Sequence, residues 1–201
     1  MKKMNRLNDN ILQAVNSVLN TNCKLIDYNI NNIKDKFTIE SEKLLPKNNY
    51  VGLSIAQGNV YRKKEWPLNN IVSLCDKLKQ NNKTPVFFIK KKNKELKNKI
   101  HKLIPYSLFP EHESNLSSPA LVACLGKRLN FAITIDNGIM HMLSLSKVPM
   151  ISLFGPTDSR KFAPEYKKSI VLDSKKLYNI KSVSSITVED VLNATKLHLN
   201  Y

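Results

Sequence analysis

Short apolar runs alternate with amphipathic or charged segments along most of the chain. Runs rich in β-branched and aromatic residues are typical of buried parallel strands. They predict strands over 50–56, 84–89, 131–135, 150–154 and 169–172, and a shorter strand over 103–108. Apolar residues at helical spacing predict helices over 68–80, over 117–129, after 138 and from 187 onward, with 90–102 helical in part. Strands that alternate with helices form a parallel sheet with helices on both faces, so the predicted fold class is α/β and Rossmann-like.

The first 49 residues follow a different pattern from the rest. Residues 5–20 carry apolar side chains at helical spacing, which predicts an amphipathic helix. Residues 21–49 are polar, rich in asparagine and weakly patterned, which is typical of a linker or an irregular connection. The expected organisation is therefore a helix and connection over 1–49, followed by a Rossmann-like domain over 50–201.

Two turns at the ends of predicted strands carry the strongest local signal. Asp136-Asn-Gly138 separates a strand from a helix, and we expect Gly138 to take a positive φ there. Gly155-Pro-Thr157 follows the next strand. Because the carboxyl ends of parallel strands meet at one edge, both turns border the crevice where open α/β sheets bind phosphorylated ligands. The chain has no Gly-x-Gly-x-x-Gly fingerprint and no P-loop, so neither a dinucleotide dehydrogenase nor an NTPase is supported.

The net charge of +16 over 201 residues is unusual, and it comes almost wholly from lysine. Dedicated readers of phosphates or bases usually use arginine forks. The lysines are also widely spread, which favours a solvated surface with a compositional bias. Attraction to an anionic substrate, a lipid surface or nucleic acid stays open as the alternative.

Cysteine usage and hydropathy indicate the compartment. The three cysteines show no close pair, as in a cytoplasmic protein with reduced thiols, and they form no metal motif. Polar residues interrupt any signal-peptide core near the N-terminus, and no run approaches the ~20 apolar residues of a membrane span.

An Asp-x-Gly-x-x-His motif is formed by Asp136, Gly138 and His141, and it is followed by Leu153-Phe-Gly-Pro-Thr157. In these motifs the chain resembles glycosyltransferase family 9, the lipopolysaccharide heptosyltransferases and their relatives. Lys64-Glu-Trp-Pro67 is similar to the family's Lys-x-Trp-Pro. The resemblance runs from about residue 50 to the C-terminus. It implies the second Rossmann-like domain of a GT-B glycosyltransferase.

The resemblance also implies a set of donor-binding residues: Lys64, Glu95, Asp136, Asn137, Gly138, His141, Gly155, Pro156 and Thr157. Lys64 would stabilise the leaving nucleoside diphosphate. Asp136 would orient loop N–H groups or contact a sugar hydroxyl, and His141 would lie near the phosphates. Glu95 stands where the family has a ribose-binding glutamate, although its loop matches the family poorly.

Each of these residues also has a structural explanation, which stays open. Asp-Asn-Gly is a common turn anywhere, and a histidine among apolar residues is often part of the core. Lys64 ends a basic run that solvent alone would accommodate. The family often has threonine where Asn137 stands, a departure that bears on donor selectivity. We expect Trp66 and Pro67 to be structural, with Trp66 covering an edge of the sheet and Pro67 starting a helix.

The resemblance implies inverting transfer from a nucleotide sugar, most directly ADP-heptose, to a lipopolysaccharide-type glycan or glycolipid. The protein would be cytoplasmic, in peripheral contact with the inner face of the inner membrane. No cofactor and no metal are expected, since the chain lacks an Asp-x-Asp motif. The catalytic base and the acceptor surface are expected in a first domain. The isolated chain should therefore bind donor without transferring sugar, whether it is a fragment, one of two chains or a degenerate relative.

Two functions from other classes remain as alternatives. A non-catalytic nucleotide-binding module would keep the fold and lose the chemistry. A lysine-rich nucleic-acid-binding protein is less well supported, because the chain lacks arginine clusters and interleaved aromatic residues. No specific nucleic acid partner is expected.

Overall fold

The structure, a computed structural model, describes residues 7–24, 30–54 and 64–199. Within them lies a five-stranded sheet with the order β2-β1-β3-β4-β5. The strands are β1 (Tyr50–Ser54), β2 (Thr84–Phe87), β3 (Leu129–Ile135), β4 (Met150–Phe154) and β5 (Ser169–Asp173). All of these strands pair in parallel, which confirms the predicted α/β sheet.

Ten α-helices occur in the part of the chain that the structure describes. They are α1 (Leu7–Leu19), α2 (Asp35–Leu44), α3 (Leu68–Gln80), α4 (Lys94–Leu103), α5 (Pro110–Glu113), α6 (Pro119–Gly126), α7 (Gly138–Ser144), α8 (Ser159–Phe162), α9 (Ser174–Tyr178) and α10 (Val188–Leu199). Short 3-10 turns cover Ile30–Asn32 and Val183–Ser185. None of these helices is long and apolar enough to cross a membrane.

The structure differs from the sequence-based expectation in two elements. The irregular connection predicted before residue 50 contains α2, a helix that packs against α6 through Phe37 and Leu44 beside the buried Leu45. The strand predicted over 103–108 does not form. Leu103 ends α4 instead, and only Leu108 makes an isolated bridge, to Val86 of β2.

Both faces of the sheet are buried, which explains why its strands are continuous apolar runs. On one face Val51 and Leu53 of β1 pack with α3 and α10. On the other face Tyr50 packs with α2, α6 and α7. Trp66 has the structural role predicted for it, since it is 3% exposed and its Nε1 donates a hydrogen bond to the Ile186 carbonyl at 2.8 Å.

The strand order decides which loops can cooperate. β3 lies between β1 and β4, and Ser54 of β1 is paired in register with Thr134 of β3. Ile135 is likewise paired with Leu153 of β4. The carboxyl ends of β1, β3 and β4 therefore lie side by side at the middle of one edge, which we call the site edge.

Candidate functional site

Asp136, the residue after β3, connects three segments at the site edge. Its Oδ2 forms an ion pair with Lys64 Nζ, and Lys64 Nζ also donates to the Asp136 carbonyl at 3.3 Å. Thr157, which follows β4, donates its hydroxyl to the same Oδ2 at 2.7 Å. We call Lys64, Asp136 and Thr157 the site cluster. It brings together three of the residues that the sequence analysis selected.

The charged members of the site cluster are withdrawn from water. The side chains of Lys64 and Asp136 are 7% and 10% exposed. A buried charge is tolerated only when it is paired and hydrogen-bonded. Lys64 is therefore not part of a solvated basic run. The described partners of the Asp136 carboxylate are a cation and a hydroxyl, and no loop N–H group is among them.

Asn137 joins the turn to the neighbouring strand. Its Oδ1 accepts a hydrogen bond from Met140 N at 3.0 Å and so caps the N-terminus of α7. Its Nδ2 donates to Ser54 Oγ at 2.9 Å. Ser54 is fully buried at the end of β1 and was missed from the sequence. The signal available was a hydroxyl at the last position of an apolar run.

Gly138 does not have the conformation that its turn motif predicted. It is the first residue of α7, and none of the described glycines has a positive φ. The reason is that Asn137 is extended, with φ −150° and ψ 177°, so the chain enters the helix without a left-handed residue. A Cβ added at Gly138 would meet nothing within 4 Å. The first turn of α7 is therefore open to a ligand.

Gly155 is a glycine for a different reason. A Cβ on it would lie 2.4 Å from the backbone nitrogen of Val183 and 2.7 Å from the carbonyl carbon of Ser182. The turn after β4 is thus packed directly against another backbone segment. Pro156 is exposed beside it, and Thr157 is half-buried and points back to Asp136.

His141 lies in α7 and is exposed, so it is not a core histidine. The protein around its ring lowers the pKa of His141 by desolvation, Asp136 opposes this shift, and Lys64 adds to it. A lowered pKa favours the neutral ring, which has one hydrogen-bond donor and one acceptor. His141 therefore supplies a polar group beside the site cluster.

Glu95 lies at the same edge of the sheet but outside the site cluster. It is exposed in the first turn of α4, which follows β2 and is capped by the Asn93 side chain. β1 separates β2 from β3. The described contacts do not join Glu95 to Asp136. No group of three or more His, Cys, Asp or Glu side chains in the described ranges is arranged to hold a metal ion.

Comparison with known proteins extends these observations. The family model of glycosyltransferase family 9 (heptosyltransferase) matches residues 3–191, including residues before the point where the motif resemblance begins. A comparison with curated protein sequences finds no match.

Three solved structures share the fold. A family 9 glycosyl transferase from Veillonella parvula DSM 2008 has a TM-score of 0.74 and 19% identity, with 100% of this chain and 62% of that one covered. E. coli ADP-heptose lps heptosyltransferase II has a TM-score of 0.66 and 19% identity, with 84% and 52% covered. E. coli heptosyltransferase WaaC with ADP has a TM-score of 0.57 and 17% identity, with 78% and 46% covered. The chain thus spans less than two thirds of the length of each.

Proposed function

Because the chain belongs to glycosyltransferase family 9, we propose that it is the donor-binding half of a heptosyltransferase-like enzyme. It binds a nucleotide sugar, ADP-heptose, by the diphosphate at the site edge. The observation that carries this proposal is the site cluster, in which a buried lysine is held by Asp136 at the open N-terminus of α7. The related WaaC structures contain ADP and ADP-2-deoxy-2-fluoro heptose, which supports the choice of donor.

The electrostatics of the site cluster suit a diphosphate. Lys64 supplies a cation whose position is fixed by two contacts with Asp136. The first N–H groups of α7 add donors and a positive dipole end. Gly138 has no side chain in the way, so a phosphate can approach the backbone closely.

The same groups suit the chemistry of sugar transfer. An acceptor hydroxyl oxygen forms a bond to the anomeric carbon, and the bond from that carbon to the phosphate oxygen breaks. The electron pair leaves with the nucleoside diphosphate, and Lys64 and α7 stabilise the charge that develops there. The proton of the acceptor passes to a base, which we propose lies in a first domain that this chain does not supply.

The remaining parts of the proposal rest on the family. The acceptor is a lipopolysaccharide-type glycan, and the protein works in the cytoplasm at the inner face of the inner membrane. His141, Glu95, Gly155, Pro156 and Thr157 complete the donor site, with Glu95 on the ribose. A non-catalytic nucleotide-binding module would use the same donor site and would differ only in turnover.

Calorimetric titration of the purified chain with ADP-heptose tests the proposal, together with an assay for ADP release in the presence of a lipopolysaccharide acceptor. We expect saturable binding without ADP release. Release of ADP by the chain alone would contradict the assignment of the base to another domain. Absence of binding by ADP-heptose and by ADP would overturn the donor site itself.

A further inference from the structure

The segment from Lys175 to Lys181, which we call the α9 tip, exposes an unusual set of side chains. Every residue in it is exposed. Leu177, Tyr178 and Ile180 are 47%, 41% and 48% exposed. The large apolar residues of the preceding strands β4 and β5 are, by contrast, buried or half-buried. The tip therefore presents three large apolar groups within four positions of the chain.

Hydrogen bonds hold the α9 tip in this outward position. Ser174 Oγ donates to the Ile180 carbonyl at 2.6 Å, and Ile180 N donates to the Ser174 carbonyl at 3.4 Å, so the two ends of the segment meet. Asn179 ends α9 with a left-handed φ of 57°, and its N–H donates to the Lys175 carbonyl at 3.0 Å. The apolar side chains are thus held away from the core by an ordered backbone.

Lysines border the apolar group on both sides. Lys175 and Lys176 precede it and Lys181 follows it. Of the acidic neighbours, Asp173 is buried and caps α9, whereas the half-buried Asp190 accepts a hydrogen bond from the exposed Tyr178 hydroxyl at 2.5 Å. The charged residues of the tip itself are all lysines.

This combination matches one kind of partner. Exposed leucine, isoleucine and tyrosine side chains insert at the boundary between lipid headgroups and acyl chains, and lysines pair with anionic headgroups. The apolar face of α1 is also exposed, at Ile11 and Val18, but the only charge in that helix is Asp9. Charge complementarity therefore favours the α9 tip over α1 for an anionic surface.

The position of the tip relates it to the candidate site. α9 begins where β5 ends, and β5 is the neighbour of β4. The tip therefore lies on the same edge of the sheet as Thr157. We propose that the α9 tip docks the protein onto an anionic lipid bilayer, with Leu177 and Ile180 among the headgroups and the lysines on lipid phosphates. The docking is argued from the side chains of the tip alone. Only the reason for it, access to a lipopolysaccharide-type acceptor, rests on the proposed function.

Co-sedimentation with lipid vesicles tests the docking directly, with no nucleotide present. We expect the chain to bind vesicles of phosphatidylcholine mixed with phosphatidylglycerol and to bind pure phosphatidylcholine weakly. Lys175→Gln with Lys176→Gln should weaken binding about 25-fold, because each lysine near an anionic surface contributes about fivefold. Leu177→Asn with Ile180→Asn should weaken it by at least about tenfold.

A matched control uses α4, where Leu103 is 48% exposed and follows Lys99 and Lys102. Leu103→Asn, and Lys99→Gln with Lys102→Gln, should leave vesicle binding unchanged. A Leu177→Trp variant should be quenched by brominated lipid, above the constant signal of the buried Trp66. The proposal would be overturned if the tip and control variants lost vesicle binding equally, or if binding were lost only in a Val18→Asn variant of α1. Self-association of the protein through the tip would also overturn it. ADP binding in solution is measured separately, so either proposal can fail alone.

Discussion

At the scale of single residues, the two glycines of the site edge have opposite constraints. Gly138 has open space where a Cβ would point, whereas Gly155 is packed against the backbone of Val183. Both stand in turns after strands, and the sequence alone does not distinguish them. Alanine at each position separates a role in ligand binding from a role in packing.

Gly138→Ala should therefore leave the free energy of unfolding unchanged or slightly higher, because alanine suits a helix and meets no neighbour. It should weaken ADP binding by at least about tenfold if the diphosphate approaches this backbone. Gly155→Ala should lower the free energy of unfolding by about 1–3 kcal/mol, because backbone has to move. Thermal unfolding and calorimetry check both variants. Unchanged ADP affinity in a folded Gly138→Ala protein would contradict the site.

The buried ion pair supports a second prediction. Asp136→Ala removes the carboxylate that pairs with the buried Lys64, while the contact with the carbonyl of residue 136 stays, so it should cost about 3–5 kcal/mol of stability. Lys64→Met with Asp136→Leu should recover most of this loss, since a buried pair can be replaced by apolar residues. The double variant should still fail to bind ADP. Chemical denaturation measures the recovery, and a double variant as unstable as Asp136→Ala would show that the pair has another structural role.

At the scale of elements, the strands were predictable because both faces of the sheet are buried and each strand is one apolar run. The helix α2 was not predictable, because its stability comes from packing Phe37 and Leu44 against α6. The Asp-Asn-Gly turn was found by its chemistry. Its geometry was mispredicted, since a capping asparagine and a left-handed glycine look alike in sequence. The pairing of Lys64 with a residue 72 positions away has no local signal at all.

Helix α5 contains a carboxyl group that should control stability through pH. Glu111 is 5% exposed, and its Oε2 has no hydrogen-bond partner among the residues that the structure describes. Burial raises the pKa of Glu111, against the smaller effects of the Ser117 hydroxyl and Lys90. When the pKa of a carboxyl group is higher in the folded state than in the unfolded state, the group stabilises the fold at pH values below its unfolded-state pKa. This contribution is lost as pH rises through the folded-state pKa.

Glu111→Gln should accordingly remove part of the loss of stability that the wild type shows as pH rises from acid to neutral. Its advantage over wild type should grow with pH and then level off. Glu113→Gln, on the same helix and exposed, serves as the control and should show no such trend. Denaturant unfolding across this pH range measures the difference. Parallel stability curves for wild type and Glu111→Gln would contradict the prediction.

At the scale of the whole molecule, the sheet order explains why residues far apart in sequence form one site. Placing β3 between β1 and β4 brings Lys64, Asp136 and Thr157 together at the edge where helix N-termini also point. The division of the chain at residue 50 stays a prediction, as does the separate first domain with its catalytic base. The central claim is the proposal that the site cluster and the first turn of α7 form a preformed site for an anion.

Amide chemical shift mapping with ADP tests that claim most directly. On titration, the signals of residues 136–141 and 155–157 should shift together and saturate at one dissociation constant, and Gly138→Ala should move this constant to higher ADP concentration. Signals at the opposite edge of the sheet, such as those of Asn49 and Lys83, should stay unchanged. Shifts confined to other regions, or equal titration curves for wild type and Gly138→Ala, would contradict the account.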